Sequence, residues 1–357
     1  MTIAPTLTGT PGAAPASAAA ETRSRVLRMP RSPKIIVGLV ILALFALMAI
    51  VGPIIAPYSP DYYSLTFVHL VQVPGVPGQY YPLPFSPSST HWLGTTLYAQ
   101  DVWSQLLWSA RATLLVGFLA GLMATAMSVL VGVSAGYLGG YSDEGLSLFS
   151  NVFLAIPGLP LLIVLASYVP SADTDPVLIA LIVAVTGWAY GARVMRAQTL
   201  SLRNRDFVEA ARVAGESRLR IILAEVLPNL VPIVAASFLF TTLYAIGAYV
   251  SLSFLGLAGT TVWNWGTMLF HAQAESAVIS GWWWWWAPPG ICIALVGTSL
   301  ALVNFGIDEF INPRLRASGV SAKAARKAGV GGRPKFGYTP VMRKSAPAPA
   351  AAEGGGQ

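Results

Sequence analysis

The side chains able to do covalent chemistry are few and scattered. Three histidines, His69, His91 and His271, and a single cysteine, Cys292, supply all the imidazole and thiol groups in 357 residues. Their separation in sequence gives no metal-ligand spacing, so the histidines read as ordinary loop groups. Cys292 lies in an apolar run and reads as a small buried residue. No Gly-x-x-x-x-Gly-Lys-Ser/Thr occurs, and the glycine-rich stretch Gly329 to Lys335 has the wrong spacing, so the chain cannot hydrolyse ATP alone. His-Glu-x-x-His and Gly-x-Ser-x-Gly are absent too. Asp308 and Glu309 form a close acidic pair at the foot of the last apolar run, and they read as a boundary marker. No catalytic residue, metal ligand or cofactor-binding residue is therefore expected in this chain.

One segment does have informative spacing, and its chemistry is docking. It reads Asp206-Phe-Val-Glu209-Ala210-Ala211-Arg-Val-Ala-Gly215, followed by Glu225-Val226-Leu227-Pro228-Asn229. Phe207, Ala211 and Ala214 fall at i, i+4 and i+7, which predicts a short amphipathic helix with small residues that allow close approach by another surface. Glu209 sits near the start of that helix, where the dipole favours negative charge. Gly215 can take a left-handed turn. Arg212, Arg218 and Arg220 keep the element out of lipid, and Pro228 begins or kinks whatever helix follows.

The elements that must hold this segment are read from composition. With 55% hydrophobic and only 10% charged residues, water is not the main solvent of this chain. Apolar runs long enough to span a bilayer lie at roughly 35 to 56, 112 to 137, 146 to 169, 176 to 199, 228 to 256 and 287 to 308, which predicts an all-α membrane protein with six transmembrane helices. The first follows Arg23, Arg25, Arg28, Arg31 and Lys34 but is too long for a cleavable signal peptide. The net charge of +7 resides in the two ends and in the segment from Arg193 to Arg220, which fits membrane orientation better than nucleic-acid binding. All three basic regions are then cytoplasmic, and 57 to 110 and 257 to 286 are external; Arg111 is the main exception. Residues 1–33 and 317–357 are expected to be disordered cytoplasmic tails flanking a permease domain at 34–316. The run Trp282 to Trp286, with Trp263 and Trp265, is expected to anchor the outer interface.

The spaced segment resembles a known family. Importer permeases of the ATP-binding cassette superfamily carry Glu-Ala-Ala, three residues, Gly, nine residues, a variable pair and then Leu-Pro, and Glu209, Ala210, Ala211, Gly215, Leu227 and Pro228 match it. Glu225 departs from the His usual in peptide-type relatives. Further segments look like the second, C-type permease of dipeptide, oligopeptide and nickel importers: Ala56-Pro57-Tyr58-Ser59-Pro60, His91-Trp92-Leu93-Gly94-Thr95, Ala135 to Tyr141 with Asp143, Ala155-Ile156-Pro157, Ser253 to Leu257 and Trp265-Gly266. Relatives continue after Gly-Thr with Asp, two residues and Gly-Arg-Asp, where this chain has Thr96-Leu-Tyr-Ala99-Gln100-Asp101. The outer loop is also extended by Gln72 to Ser89.

The resemblance implies a type I importer permease fold in a bacterial cell membrane, with a cytoplasmic coupling helix between the fourth and fifth spans, within 200–227. It implies half of a translocation pore for oligopeptides, with oligosaccharides as the alternative cargo. The implied partners are a homologous second permease, two ATPase subunits that hold ATP and Mg, an extracytoplasmic substrate-binding protein and membrane lipid, with no nucleic acid. Two other readings stay open, a self-contained secondary transporter and a membrane-embedded enzyme. The near absence of ionisable residues in the spans counts against the first of these.

Overall fold

The computed structural model describes residues 33–74, 76–169 and 175–311. The tail expected at 1–33, apart from Pro33, which starts a helix, the tail expected after residue 316, and nearly all of the short loop near 170 to 175 fall outside these residues, as do the side chains of Asp308 and Glu309.

The described chain is mostly helical. Five helical rods are long and apolar enough to cross a membrane: α1 (Pro33–Ile55), α2 (Val102–Leu138), α5 (Pro176–Arg203), the rod Arg218–Phe254, and α10 (Trp283–Ile311). Between α2 and α5 the chain forms α3 (Gly140–Ala155) and α4 (Gly158–Tyr168), which meet at 90° and would make a sixth span only if counted together. The apolar run from 146 to 169 is thus one stretch in composition but two helices in space. Pro157 explains the break: it disfavours helical backbone at Ile156, which is extended at ψ 126, and it cannot donate to the preceding turn. α6 (Asp206–Val213) follows α5 after two residues, and α9 (Trp265–Ala274) lies between the Arg218–Phe254 rod and α10. That rod is itself composite: α7 (Arg218–Ile221), a π-helical turn (Ile222–Val226) and α8 (Leu227–Phe254).

Several helices start before the charge-free runs do: α3 at Gly140 rather than 146, the rod over the fifth run at Arg218 rather than 228, and α2 and α10 as follows. α2 begins at Val102 rather than near residue 112, because the Asp101 carboxylate accepts from the Ser104 amide (2.8 Å) and hydroxyl (2.7 Å) and caps it; Arg111 therefore lies inside the helix. α10 begins at Trp283 and carries Pro288 and Pro289 within it.

Lipid gives no hydrophobic drive between helices, so close backbone approach must hold them together. α2 is the central element. Against α5 its Gly132 lies so near the Ala192 carbonyl that a methyl group there would collide with it. Along its length α2 joins three apolar clusters: Val116, Leu162, Ile182 and Tyr249 in the middle, Ala124, Ala184 and Trp188 beside it, and Val133, Tyr137, Met195 and Leu230 at one end.

Its other end carries the widest cluster, which collects Phe45, Val102, Ile246, Trp265, Met268, Trp285 and Leu300 from five helices. α9 is seated there by a capping box: Asn264 Oδ1 accepts from the Gly266 and Thr267 amides, and the Trp265 amide donates to Thr113 Oγ1 of α2 at 3.1 Å. The tryptophans expected to be interfacial anchors divide by environment. Trp265 and Trp285 are fully buried, Trp284 donates its indole N–H to the Thr95 carbonyl, and only Trp283 and Trp286 of the run are exposed.

Residues 56–101 fold over this end as a small layer. Its two strands, β1 (Val68–Gln72) and β2 (Tyr80–Pro84), pair antiparallel from Val68 with Pro84 to Gln72 with Tyr80. The extension Gln72 to Ser89 therefore supplies the turn and the second strand of a hairpin. His91 is buried, and its Nδ1 lies 2.9 Å from Asp101 Oδ1, which ties the layer to the cap of α2. His69 and His91 are not far apart as expected: their rings flank Phe85, with centroids 4.2 and 6.3 Å from it.

Candidate functional site

The best candidate for a site is the surface around α6. Its local sequence explains its form. Asp206 and Glu209 occupy the first turn, where four backbone amides lack helical partners and the dipole is positive. The helix ends in a Schellman motif. Gly215, at φ +81, donates its amide to the Arg212 carbonyl at 3.1 Å, and Glu216 donates to the Ala211 carbonyl at 3.1 Å. A side chain at Gly215 would meet nothing within 4 Å, so glycine is needed there for backbone conformation and not for space inside this chain.

The faces of α6 are sorted differently from the sequence reading. Val208, with 0% exposure, points inward into the cluster of Val133, Tyr137, Met195, Ile221 and Val226. Ala211 lies half-buried at the seam of that cluster. Phe207, Ala210, Val213 and Ala214 point away from the chain, and Val213 is 90% exposed. The expected trio of Phe207, Ala211 and Ala214 therefore splits, because Val208 is the residue that the inner cluster takes. Exposed Leu219 and Leu223 extend the outward apolar surface beyond the turn. Around it stand Glu209, Arg212, Arg218 and Arg220, with Arg220 Nε 3.1 Å from the Glu216 carboxylate.

The remaining sequence-predicted residues lie where the rod turns. Leu227 is half-buried and Pro228 exposed at the first positions of α8, and the Leu227 amide donates to the Ile222 carbonyl five residues back. Glu225 belongs to this π-helical turn, and its carbonyl accepts from Asn229 Nδ2 at 2.6 Å. The structure thus gathers Glu209, Ala210 and Gly215 on one exposed helix, puts Ala211 at its root, and places Leu227 and Pro228 at the junction that carries it. Such an arrangement offers a hydrophobic knob with mixed charges around it, suited to a groove on another protein.

Sequence reasoning missed two features. One is the ion pair between Asp143 of α3 and Arg196 of α5, whose members lie 53 positions apart. The other is at the opposite end: a depression of about 700 Å3 lined by Asp61, Tyr63, Tyr98, Thr260, Trp263 and His271. There the Trp263 indole donates to Asp61 (2.6 Å) and the Tyr98 hydroxyl to Glu275. Burial, with Glu275 beside it, pushes the Tyr98 phenol up to about 12. Burial also holds His271 below its ordinary value, partly offset by the Thr260 backbone and Glu275.

Comparison with known proteins places the whole. Residues 128–317 match the family described as "Binding-protein-dependent transport system inner membrane component", and residues 27–71 match the "N-terminal TM domain of oligopeptide transport permease C". The dipeptide transport system permease protein DppC of Bacillus subtilis is 30% identical over 290 residues, covering 81% of this chain and 84% of that protein. The oligopeptide permease protein OppC of the same organism is 28% identical over 297 residues, with 82% and 90% covered. OppC of Mycobacterium tuberculosis H37Rv is 29% identical over 293 residues, with 82% and 94% covered. With more than half of its length matched by the family and several long apolar helices to cross a membrane, the chain belongs to the binding-protein-dependent transport system inner membrane components, the permease subunits of ATP-binding cassette importers.

Proposed function

We propose that this permease forms half of the translocation pore of a dipeptide or oligopeptide importer, and that α6 is the element through which partner ATPases drive it. The observation that carries the coupling role is the outward face of α6, where Phe207, Ala210, Val213 and Ala214 stand exposed on a helix closed by the left-handed Gly215. The names of the relatives, which specify dipeptide and oligopeptide transport, support the cargo. In this reading α3 and α4 together make one bent span, the chain crosses the bacterial inner membrane six times, and both ends are cytoplasmic. The positive-inside bias supports that orientation, since Arg193 to Arg220 lie on the side of α6.

A binding protein would deliver cargo to the end bearing the β1–β2 layer. ATP-bound ATPases would close on α6 and on its counterpart in a second permease, and hydrolysis would reset the complex. Each ligand would bias the same two-state assembly from opposite sides. Glu209, Ala210, Ala211 and Gly215 act in docking, while Leu227 and Pro228 fix the junction to α8.

The test is purification of the tagged chain in mild detergent with identification of co-purifying proteins and bound solute. A second permease, ATPases and a binding protein carrying peptide are expected. A bound oligosaccharide would reassign the cargo, and a lone chain active in liposomes without ATP would overturn the reading.

A further inference from the structure

α3 is attached to its neighbours by polar ties more than by close packing. Between α2, α3 and α5 lies a cavity of about 400 Å3 whose polar lining includes Ser147, Ser150, Asn151, Arg193 and Arg196. Ser150 is the only fully buried residue of α3. At the start of α3, Arg196 grips both carboxylate oxygens of Asp143, through Nε and through Nη2, the latter at 2.7 Å. Ser147 donates to the same carboxylate at 3.1 Å. Two turns along, Arg193 Nη2 donates to Asn151 Oδ1 at 2.8 Å. Phe149 and Phe153 against Trp188 complete the attachment.

Those arginines stand on the last turns of α5, and α6 begins only two residues after Arg203. A displacement of α6 is therefore carried along α5 to Arg196, alongside the packing of Val208 on Val133 and Tyr137 of α2. We propose that Asp143 and Arg196, with Asn151 and Arg193 as a second tie, form a clasp that makes the bent α3–α4 pair follow α5 when α6 moves. This rests on the reading of α6 as the coupling element. A bidentate guanidinium–carboxylate pair fixes direction as well as distance, as a transmitting contact requires. The cavity beside it lets α3 shift without forcing a close-packed interface to rearrange. The motion has an outlet, because α4 begins against α8, where Gly158 abuts the Tyr244 hydroxyl. Asp143 and Arg196 are thus positioning residues for transport and touch no cargo in this scheme.

The experiment uses the complete transporter, with its second permease, ATPases and binding protein, in proteoliposomes, and reads uptake and ATP hydrolysis together. Asp143→Asn and Arg196→Gln should each lower cargo moved per ATP hydrolysed, by on the order of tenfold. The exchange Asp143→Arg with Arg196→Asp should recover much of it. A static brace would instead lower both activities in proportion, so an unchanged ratio in the single variants overturns the clasp. Should those variants fail to assemble, Asp143→Cys with Arg196→Cys in a Cys292→Ala background decides. Bridging the two thiols with a bifunctional reagent should raise the ratio, and a ratio unchanged or lowered by bridging overturns the proposal. Wild-type uptake by Gly215→Asp would sink the α6 reading itself, whereas loss there beside normal clasp variants would sink the clasp alone.

Discussion

Gly215 offers a graded test of how α6 works. At φ +81 an alanine is strained by about 1–2 kcal/mol relative to glycine. Nothing lies within 4 Å of the added Cβ, so the chain contributes no clash of its own. What Gly215→Ala endangers is the pair of 3.1 Å hydrogen bonds that end the helix on Arg212 and Ala211. Val208 still holds α6 in its cluster, so the protein should reach the membrane at normal levels. If an ATPase groove requires the closed helix end, the same 1–2 kcal/mol appears in docking, as about 5- to 30-fold weaker association. Asparagine tolerates the left-handed region and should lose the least. Aspartate has the same shape but places a charge next to Glu216, and should abolish uptake. The assay titrates purified ATPase onto permease in nanodiscs and follows uptake in parallel, with an expected order of Gly, Asn, Ala, Asp. Wild-type association and uptake in both Gly215→Ala and Gly215→Asp would refute the reasoning.

Two further perturbations concern the opposite end. Asp101 caps α2 and partners buried His91, so Asp101→Ala should destabilise the protein by about 2–4 kcal/mol, through loss of the cap and an orphaned imidazole; Asp101→Asn should cost less. Tryptophan-monitored thermal unfolding in detergent reads this, and an unchanged midpoint would contradict it. His271 is held below its ordinary value by burial, so its stabilising contribution is present above about pH 6.5 and lost as pH falls from there through the folded value. Unfolding midpoints should therefore drop on acidification in the wild type, and drop less in His271→Gln. Parallel curves would exclude His271 as the cause.

The membrane class, five of the rods and the α6 segment were legible because each depends on local pattern: run length for the rods, and Glu209, Gly215 and Pro228 for the helix ends. Gly215 shows this best, since a glycine directly after a short amphipathic pattern signals a left-handed helix end. The face of α6 was less legible. Phe207 and Val208 are adjacent apolar residues, and only the distant cluster of Met195, Ile221 and Val226 decides which one turns inward. The bend at Pro157 was hidden because hydropathy sums composition and ignores direction. Asp143–Arg196 depends on how α3 crosses α5, which no spacing in the sequence encodes. Ala99 shows a departure with a structural meaning. This alanine sits at φ +58 with its methyl buried on Phe67 and Val68, so packing offsets the strained backbone.

The π-helical turn at Ile222–Val226 carries a consequence for how such permeases diverge. It accommodates one residue more than an α-helix would between α7 and α8, and the two prolines just beyond it, Pro228 and Pro232, supply no amide donor to the turns before them. Deleting that residue would restore an unbroken α-helix and turn everything after it by about 100°. Thr242, Ala245 and Tyr249 would then take the places of Thr241, Tyr244 and Ala248, and Leu243, Ile246 and Val250 would take theirs. A single insertion or deletion there acts as a phase setting: it re-aims every side chain that α8 presents while leaving α6 untouched.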